Sequence, residues 1–339
     1  MKNARSDRER LIGWVRGFRG RRVAVLGDMV ADEFLYGDIA RISREAPVLI
    51  LEHRRTEIVP GGGANAVANL RALGAAPLPV GVLGRDESGS RLRSLFRRRR
   101  IATEGLLDVA GYETPSKSRV LAGGIHTRRQ QIVRIDRGAP HGELSAKARA
   151  ALRRALRAAL RDSEGLLVAD YGYGSASPEV LGDLGRRSVA RGLPVTVDSR
   201  GRVLSYSGLT ACTPNQEEIE LALGLEGLAG DGVARAGRRL LRRSGVEAVL
   251  VTRGAKGMVL LERRRKPVLV PAYGSDEVTD VTGAGDTVIA TFTLARIAGA
   301  GFQDAARLAN YAAGIAVTKA GTATVSPAEL IRALREDLT

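Results

Sequence analysis

The chain has 339 residues, 44% of them hydrophobic, enough to bury a full core in one large domain or two medium ones. Its formal charge is +16, carried by scattered arginines with only six lysines, and aromatics make up 4%, which argues against the interleaved basic and aromatic surface of a nucleic-acid binder. A single cysteine, Cys212, excludes an internal disulfide and a multi-cysteine metal site and reads as a buried thiol.

Residues 1–22 alternate charges with Leu11, Ile12, Trp14 and Val15, as a short amphipathic helix does, and contain no continuous apolar signal core. Nothing elsewhere is long and apolar enough to span a membrane, so a cytoplasmic protein is expected. The first strand signal is the apolar run 23–26, which ends on Gly27-Asp28. Residues 36–60 and 112–136 carry β-type runs such as 48–51 and 131–135, with turn residues such as Gly123-Gly124 and no helical stripe. They are expected to form a small antiparallel sheet projecting as a lid, the alternative being two extra edge strands of the main sheet. Pro60-Gly61-Gly62-Gly63-Ala64-Asn65 leads into a helix-like stretch, 66–73, where bare backbone can approach a ligand and the Asn65 amide offers a donor and an acceptor. With Asp28 and Asp32 this suits a polyhydroxylated substrate, since a carboxylate accepts two hydroxyls. Arg97–Arg100 follow Leu92, Leu95 and Phe96 as cations follow a helix end.

Further along, 144–160 is helical with Leu152, Leu156 and Leu160 on one stripe, and 233–241 is helical too. Between such stretches lie the apolar runs 166–169 before Asp170, 195–197 before Asp198, and 249–252 before Arg253-Gly254. Strands alternating with helices imply a mainly parallel sheet covered on both faces, with ligands beyond the carboxyl ends of its strands. Thr213-Pro214-Asn215-Gln216-Glu217-Glu218 places Asn215 and Glu218 three apart at a helix start. That spacing fits either a capping box or an oxygen pair orienting the waters of a Mg²⁺ ion. The most informative stretch is Asp280-Val281-Thr282-Gly283-Ala284-Gly285-Asp286-Thr287, a glycine turn running into the apolar segment 288–298. Unpaired N–H groups at such a helix start hold a phosphoryl group while a nearby carboxylate takes a proton. The plainer alternative is a helix capped by Thr282 or Asp286.

Four ordered motifs, residues 61–65, 213–218, 251–254 and 280–286, make nearly the whole chain resemble the ribokinase-like (PfkB) sugar kinases. Residues 27–32, 41–48, 129–136 and 321–327 are most similar to the D-glycero-β-D-manno-heptose-7-phosphate kinase branch, which makes a heptose 1,7-bisphosphate for ADP-heptose synthesis. Three positions depart from that branch. Arg44 stands where proline is usual, Tyr173 where lysine is frequent, and Asp198-Ser199-Arg200-Gly201 replaces aspartate-proline-lysine-glycine. The nucleotidyltransferase often fused to this branch is not expected in a chain that ends at Thr339.

The resemblance implies a single Rossmann-like α/β sugar-kinase domain with a β-sheet lid, ATP as donor, Mg²⁺ as cofactor and a homodimer built through the lid. Asp286 would be the base, and the N–H groups of Gly283, Ala284 and Gly285 would stabilise the transferred phosphoryl group. Asp28, Asp32, Gly62, Gly63 and Asn65 would line the sugar site, with Arg41 or Arg134 from the lid on a sugar phosphate. Thr252, Arg253, Gly254 and Asn310 would line the nucleotide site, and Asn215 and Glu218 would position Mg²⁺ through water. Another PfkB-type kinase, such as a ribokinase or fructokinase, is the alternative within the class. A basic nucleic-acid-binding protein is the alternative outside it.

Overall fold

Apolar runs without alternation mark strands covered on both faces. The computed structural model, which describes residues 2–123, 130–138, 144–274 and 279–337, assembles them into one sheet. In chain order the strands are β1 (Arg22–Gly27), β2 (Met29–Ile42), β3 (Leu49–Gly62), β4 (Ala76–Leu83), β5 (Leu106–Asp108), β6 (Ser116–Gly123) and β7 (Gln130–Arg137). They continue as β8 (Gly165–Asp170), β9 (Val195–Ser199), β10 (Ala211–Cys212), β11 (Ala248–Thr252), β12 (Met258–Glu262) and β13 (Val268–Val270). The main sheet runs β13-β12-β11-β10-β9-β8-β1-β4-β5 and is parallel from β11 to β5, with β12 antiparallel to both of its neighbours.

Successive side chains of β1 and β8 feed the two faces in turn. Val23, Val25, Leu167 and Ala169 join a core built with the helices Lys2–Arg16, Gly63–Ala72, Ala284–Ile297 and Phe302–Val317. Ala24, Leu26, Leu166 and Val168 join the opposite core, against Ala146–Arg161 and Gly232–Ser244. The Ala146–Arg161 helix starts on Ser145, whose hydroxyl accepts from Ala148 N, and buries the Leu152, Leu156 and Leu160 stripe. Each leucine so buried contributes about 1.5–3 kcal/mol. Cys212 is buried, and no helix among the described residues is long and apolar enough to cross a membrane.

The chain leaves β1 toward β4 on one side and β8 on the other, so the sheet reverses winding there. The carboxyl ends of β1 and β8 therefore flank a crevice of the kind that takes ligands. The lid stands over it as a separate sheet, β3-β2-β6-β7, and not as edge strands of the main one. Each of its hairpins is antiparallel, while β2 and β6 pair in parallel where the hairpins meet. Its first strand begins at Met29, not Tyr36: Met29, Val30 and Ala31 are buried, and the strand becomes exposed only further along. Gly124, of the expected turn, and Arg129, at the head of the 129–136 segment, lie outside the described residues.

Candidate active site

The turn before the Ala284–Ile297 helix is pinned by Asp280, which accepts from Thr282 N at 2.8 Å and from Gly321 N at 3.0 Å. Gly283 is the N-cap, at φ 79°, and no side chain caps this helix, so neither Thr282 nor Asp286 serves that purpose. A Cβ on Gly283 would strike the Asn65 amide. Gly285 is different: a Cβ there would meet nothing within 4 Å, so its bareness serves the space in front of it and not the packing. Ala284 N donates to Val281 O at 3.2 Å, which engages one of the three expected phosphate donors within the turn. The N–H groups at the second and third helical positions, Gly285 and Asp286, have no intrahelical acceptor.

Asp286 is 4% exposed, and both its oxygens are held. Asn65 Nδ2 donates to Oδ2 at 2.8 Å, and the Tyr171 hydroxyl donates to Oδ1. Burial pushes its carboxyl up to about 7 against the pull of those two donors, and the Asp32 charge adds to the rise. A carboxylate with that affinity exchanges protons near neutrality, as a general base must.

Around Asp286 and Gly285 lies a polar cavity of about 350 Å³. The lid contributes Asp32, Gly62, Lys117 and Arg119, the ends of β8 and β9 contribute Tyr171, Asp198 and Arg200, and Thr213, Asn215, Glu218 and Thr252 close the far side. Arg119 Nη1 pairs with Asp32 Oδ1 at 2.9 Å, and burial holds Asp32 above the usual carboxylate range in spite of that partner. Lys117 sits 3.4 Å from Asp136, and its own burial lowers its affinity for the proton. Arg200 lies over the Tyr171 ring at 4.9 Å.

Several residues expected at the sugar site are placed differently. Asp28 is fully buried and accepts from the N–H groups of Tyr171, Tyr173, Ser175 and Ala176 at 2.8–3.2 Å, so it organises the loop after β8 and does not line the cavity. Asn65 spends its amide on Asp286 and accepts from Asn69 Nδ2, standing behind the base. Of the triplet Gly61-Gly62-Gly63 only Gly62 lines the cavity; a Cβ on Gly61 would lie 2.6 Å from the Asp32 carboxylate, and one on Gly63 2.8 Å from Asp28 O. The triplet thus admits the protein's own chain as well as a ligand. Arg41 pairs with Ile50 at the exposed tip of β2, nine residues or about 30 Å of strand from Asp32, and is remote from the site. Arg134 faces Arg119 across the β6–β7 ladder and bonds Asp136 at 2.8 and 3.0 Å, at the rim and not in the lining.

On the far side, Asn215 and Glu218 form a capping box: Asn215 Oδ1 accepts from Glu218 N at 2.8 Å and Glu218 Oε2 accepts from Asn215 N at 2.9 Å. Both residues still line the cavity, beside Thr252. Glu218 is raised by burial, and Asp198 well above its ordinary value by burial and by the Glu218 and Asp286 charges. No group of three acidic, histidine or cysteine side chains among the described residues is arranged to hold a metal directly. What its far side offers is a set of side-chain oxygens from Asp198, Thr213, Asn215, Glu218 and Thr252, the kind of donor that suits a hydrated Mg²⁺ ion. Arg253 and Gly254 follow Thr252 outside the cavity lining. Asn310 lines a second cavity, of about 800 Å³, beside Val268, Pro271 and Tyr273, with its amide donating to Pro271 O at 2.8 Å.

Tyr171, Lys117, Arg119, Asp198 and Arg200 complete the cavity without having been singled out as site residues. For Tyr171, Asp198 and Arg200 the signal was position, each lying at or just past the carboxyl end of β8 or β9. For the lid cations only strand alternation carries any signal, and the pairing of β2 with β6 is invisible in sequence.

A near-neutral carboxylate at a bare helix start, in a polar cavity roofed by a strand lid, is the arrangement that phosphoryl transfer to a hydroxyl calls for. The chain belongs to the pfkB family of carbohydrate kinases, whose sequence profile matches residues 21–329. It is 40% identical over 311 residues to the Bifunctional protein HldE of Geobacter sulfurreducens, covering 91% of this chain and 62% of that protein. The Bifunctional protein HldE of Halorhodospira halophila is 41% identical over 322 residues, 94% of this chain and 64% of that one. The chain thus spans less than two thirds of the length of these relatives. Its fold is that of an Arabidopsis thaliana ribokinase complexed with ribose and ATP, at a TM-score of 0.71, 20% identity and coverage of 94% of this chain and 100% of that one. Phosphofructokinase-2 from Escherichia coli in complex with substrates and products matches at a TM-score of 0.73 and 18% identity, covering 93% of this chain and 98% of that one.

Proposed function

We propose that the enzyme transfers the γ-phosphoryl group of ATP to the anomeric hydroxyl of a heptose 7-phosphate, giving the 1,7-bisphosphate and ADP. The observation that carries the transfer is Asp286, buried, held on both oxygens and ionising near neutrality beside the open space over Gly285. Asp286 takes the proton of the acceptor hydroxyl as the O1–P bond forms and the bond from the γ-phosphorus to the bridging oxygen breaks, the electron pair leaving with ADP. The helix N–H groups at Gly285 and Asp286 face the charge that builds on the transferred group. Asn215 and Glu218 would hold the waters of a Mg²⁺ ion, which supplies charge neutralisation along the triphosphate when bound. Thr252, with Arg253 and Gly254 beyond it, would lead the nucleotide away from the transfer site, and Asn310 would close its far end.

A phosphorylated sugar is favoured by the site face of the lid. Lys117 and Arg119 on β6 and Arg134 on β7 share that face around Asp32, and Arg200 approaches from the core. Asp32 suits sugar hydroxyls and the cations suit a phosphate, where a charge-assisted contact is worth on the order of 1.5–3 kcal/mol. The same reading takes the enzyme as a cytoplasmic homodimer joined through the lid.

The deciding experiment is a panel of sugars and sugar phosphates with ATP, read as ADP formed. Heptose 7-phosphate should exceed ribose, fructose and nucleosides in kcat/KM by roughly tenfold to a hundredfold. Arg134→Ala should weaken the phosphorylated sugar and leave the KM for ATP unchanged. Preference for an unphosphorylated sugar would remove the heptose assignment and turn attention to Arg44, Tyr173 and Ser199.

A further inference from the structure

Tyr171 joins the anchored loop, the glycine triplet and the base. Its backbone N–H donates to Asp28 Oδ2 at 2.9 Å, within the set of four N–H groups that fixes the loop after β8. Its ring packs against bare backbone: a Cβ on Gly62 would come within 3.2–3.3 Å of two ring carbons, and φ at Gly62 is 51°. Arg200 covers the ring at 4.9 Å. The hydroxyl at the end of this construction donates to Asp286 Oδ1, opposite the Asn65 amide on Oδ2.

We propose that Tyr171 is a positioning residue for phosphoryl transfer, setting with Asn65 the plane in which the Asp286 carboxylate meets the acceptor hydroxyl and favouring its ionised form. The proposal rests on the reading of Asp286 as the base. Each carboxylate oxygen accepts more than one hydrogen bond, so Tyr171 and Asn65 leave capacity on Asp286 for the incoming proton. Burial and the neighbouring Asp286 charge push the Tyr171 phenol well above its ordinary range, so it stays a donor at every working pH. The other charges around Asp286 oppose one another. Asp32 disfavours its ionisation and Arg200 favours it, the Asp286 charge in turn helps to hold the Asp198 carboxyl up, and Lys117 and Arg119 share the cavity wall. A donor in direct contact is the element that tips this balance toward a usable base.

The test is the pH dependence of kcat/KM in wild type, Tyr171→Phe and Asp286→Asn, with the same sugar and ATP. Removing the hydroxyl makes ionisation of Asp286 harder, so the acid limb of Tyr171→Phe should move up by about one pH unit, a roughly tenfold loss near the foot of the limb that shrinks at alkaline pH. Sugar KM should change little, and in the Asp286→Asn background the same substitution should add no further loss. Replacing Tyr171 by 3-fluorotyrosine, a stronger donor of nearly the same shape, should move the limb down and keeps the test alive if the phenylalanine variant folds poorly. An acid limb that stays put in both Tyr171 variants while Asp286→Asn is crippled overturns this proposal alone. Wild-type turnover in Asp286→Asn overturns the base assignment and the proposal with it.

Discussion

Gly283 and Gly285 sit two residues apart with opposite reasons for being glycine. Gly283 adopts φ 79° and would drive a Cβ into the Asn65 amide, so Gly283→Ala should cost about 1–3 kcal/mol of stability and disturb the base. Gly285→Ala should keep its unfolding midpoint and lose nucleotide turnover, because the methyl group enters the open space proposed for the transferred phosphoryl group. Equal thermal midpoints for the two variants would sink this distinction. Asp286 carries a different tension. Its carboxyl rises from 3.8 unfolded to about 7 folded, so the folded state is favoured by the protonated form and loses that advantage as pH rises through 7. Asp286→Asn should lose roughly 10²-fold or more in turnover and yet gain stability over wild type, the gain growing by on the order of 2 kcal/mol between about pH 5 and pH 8. Denaturant titrations at the two pH values check it, and a gain that does not grow with pH refutes it.

At the level of elements, the Gln216–Leu223 helix serves two purposes with one pair of residues. Glu218→Gln keeps an acceptor for Asn215 N, so the capping box survives while the charge facing the cavity is lost. The Mg²⁺ concentration giving half-maximal rate should rise, with the unfolding free energy within about 0.5 kcal/mol of wild type. Asn215→Ala removes the cap as well and should cost about 1 kcal/mol. An unchanged Mg²⁺ midpoint in Glu218→Gln would leave only the capping purpose. This pair also shows what was legible in sequence and what was not. Local signals came through: the α/β alternation, the Leu152 stripe, the glycine turn at 283–285 and the three-residue spacing of Asn215 and Glu218 each specify structure within a few residues. Non-local geometry did not. Asp28 looked like a sugar ligand because a carboxylate after a strand is ambiguous until four N–H donors from 171–176 are seen to surround it. Arg119 carries no local signal; only the parallel β2–β6 pairing sets it against Phe34, beside Asp32.

For the whole molecule, the lid has its chemistry reversed with respect to an ordinary surface sheet, which is apolar inward and polar outward. Arg134 and Asp136 share the face over the cavity with Lys117 and Arg119, and alternation along β7 therefore sends Val133 and Ile135 to the other side, 47% and 44% exposed. Of the ten large hydrophobic side chains exposed among the described residues, seven lie in the lid, including Ile39, Ile42, Val48 and Leu49 around the tip of the β2–β3 hairpin. That concentration fits the homodimer proposed above, in which a second copy of the lid would cover it. The protein should therefore run as a homodimer in light-scattering measurements at micromolar concentration, and Ile135→Asp should convert it to a monomer by placing a charge in the contact. Because the outer face has no part in the cavity, the monomeric variant should retain its ATP affinity while sugar KM rises as the lid loses support. A wild-type protein that is monomeric under these conditions would refute the dimer, and an Ile135→Asp dimer would move the contact elsewhere.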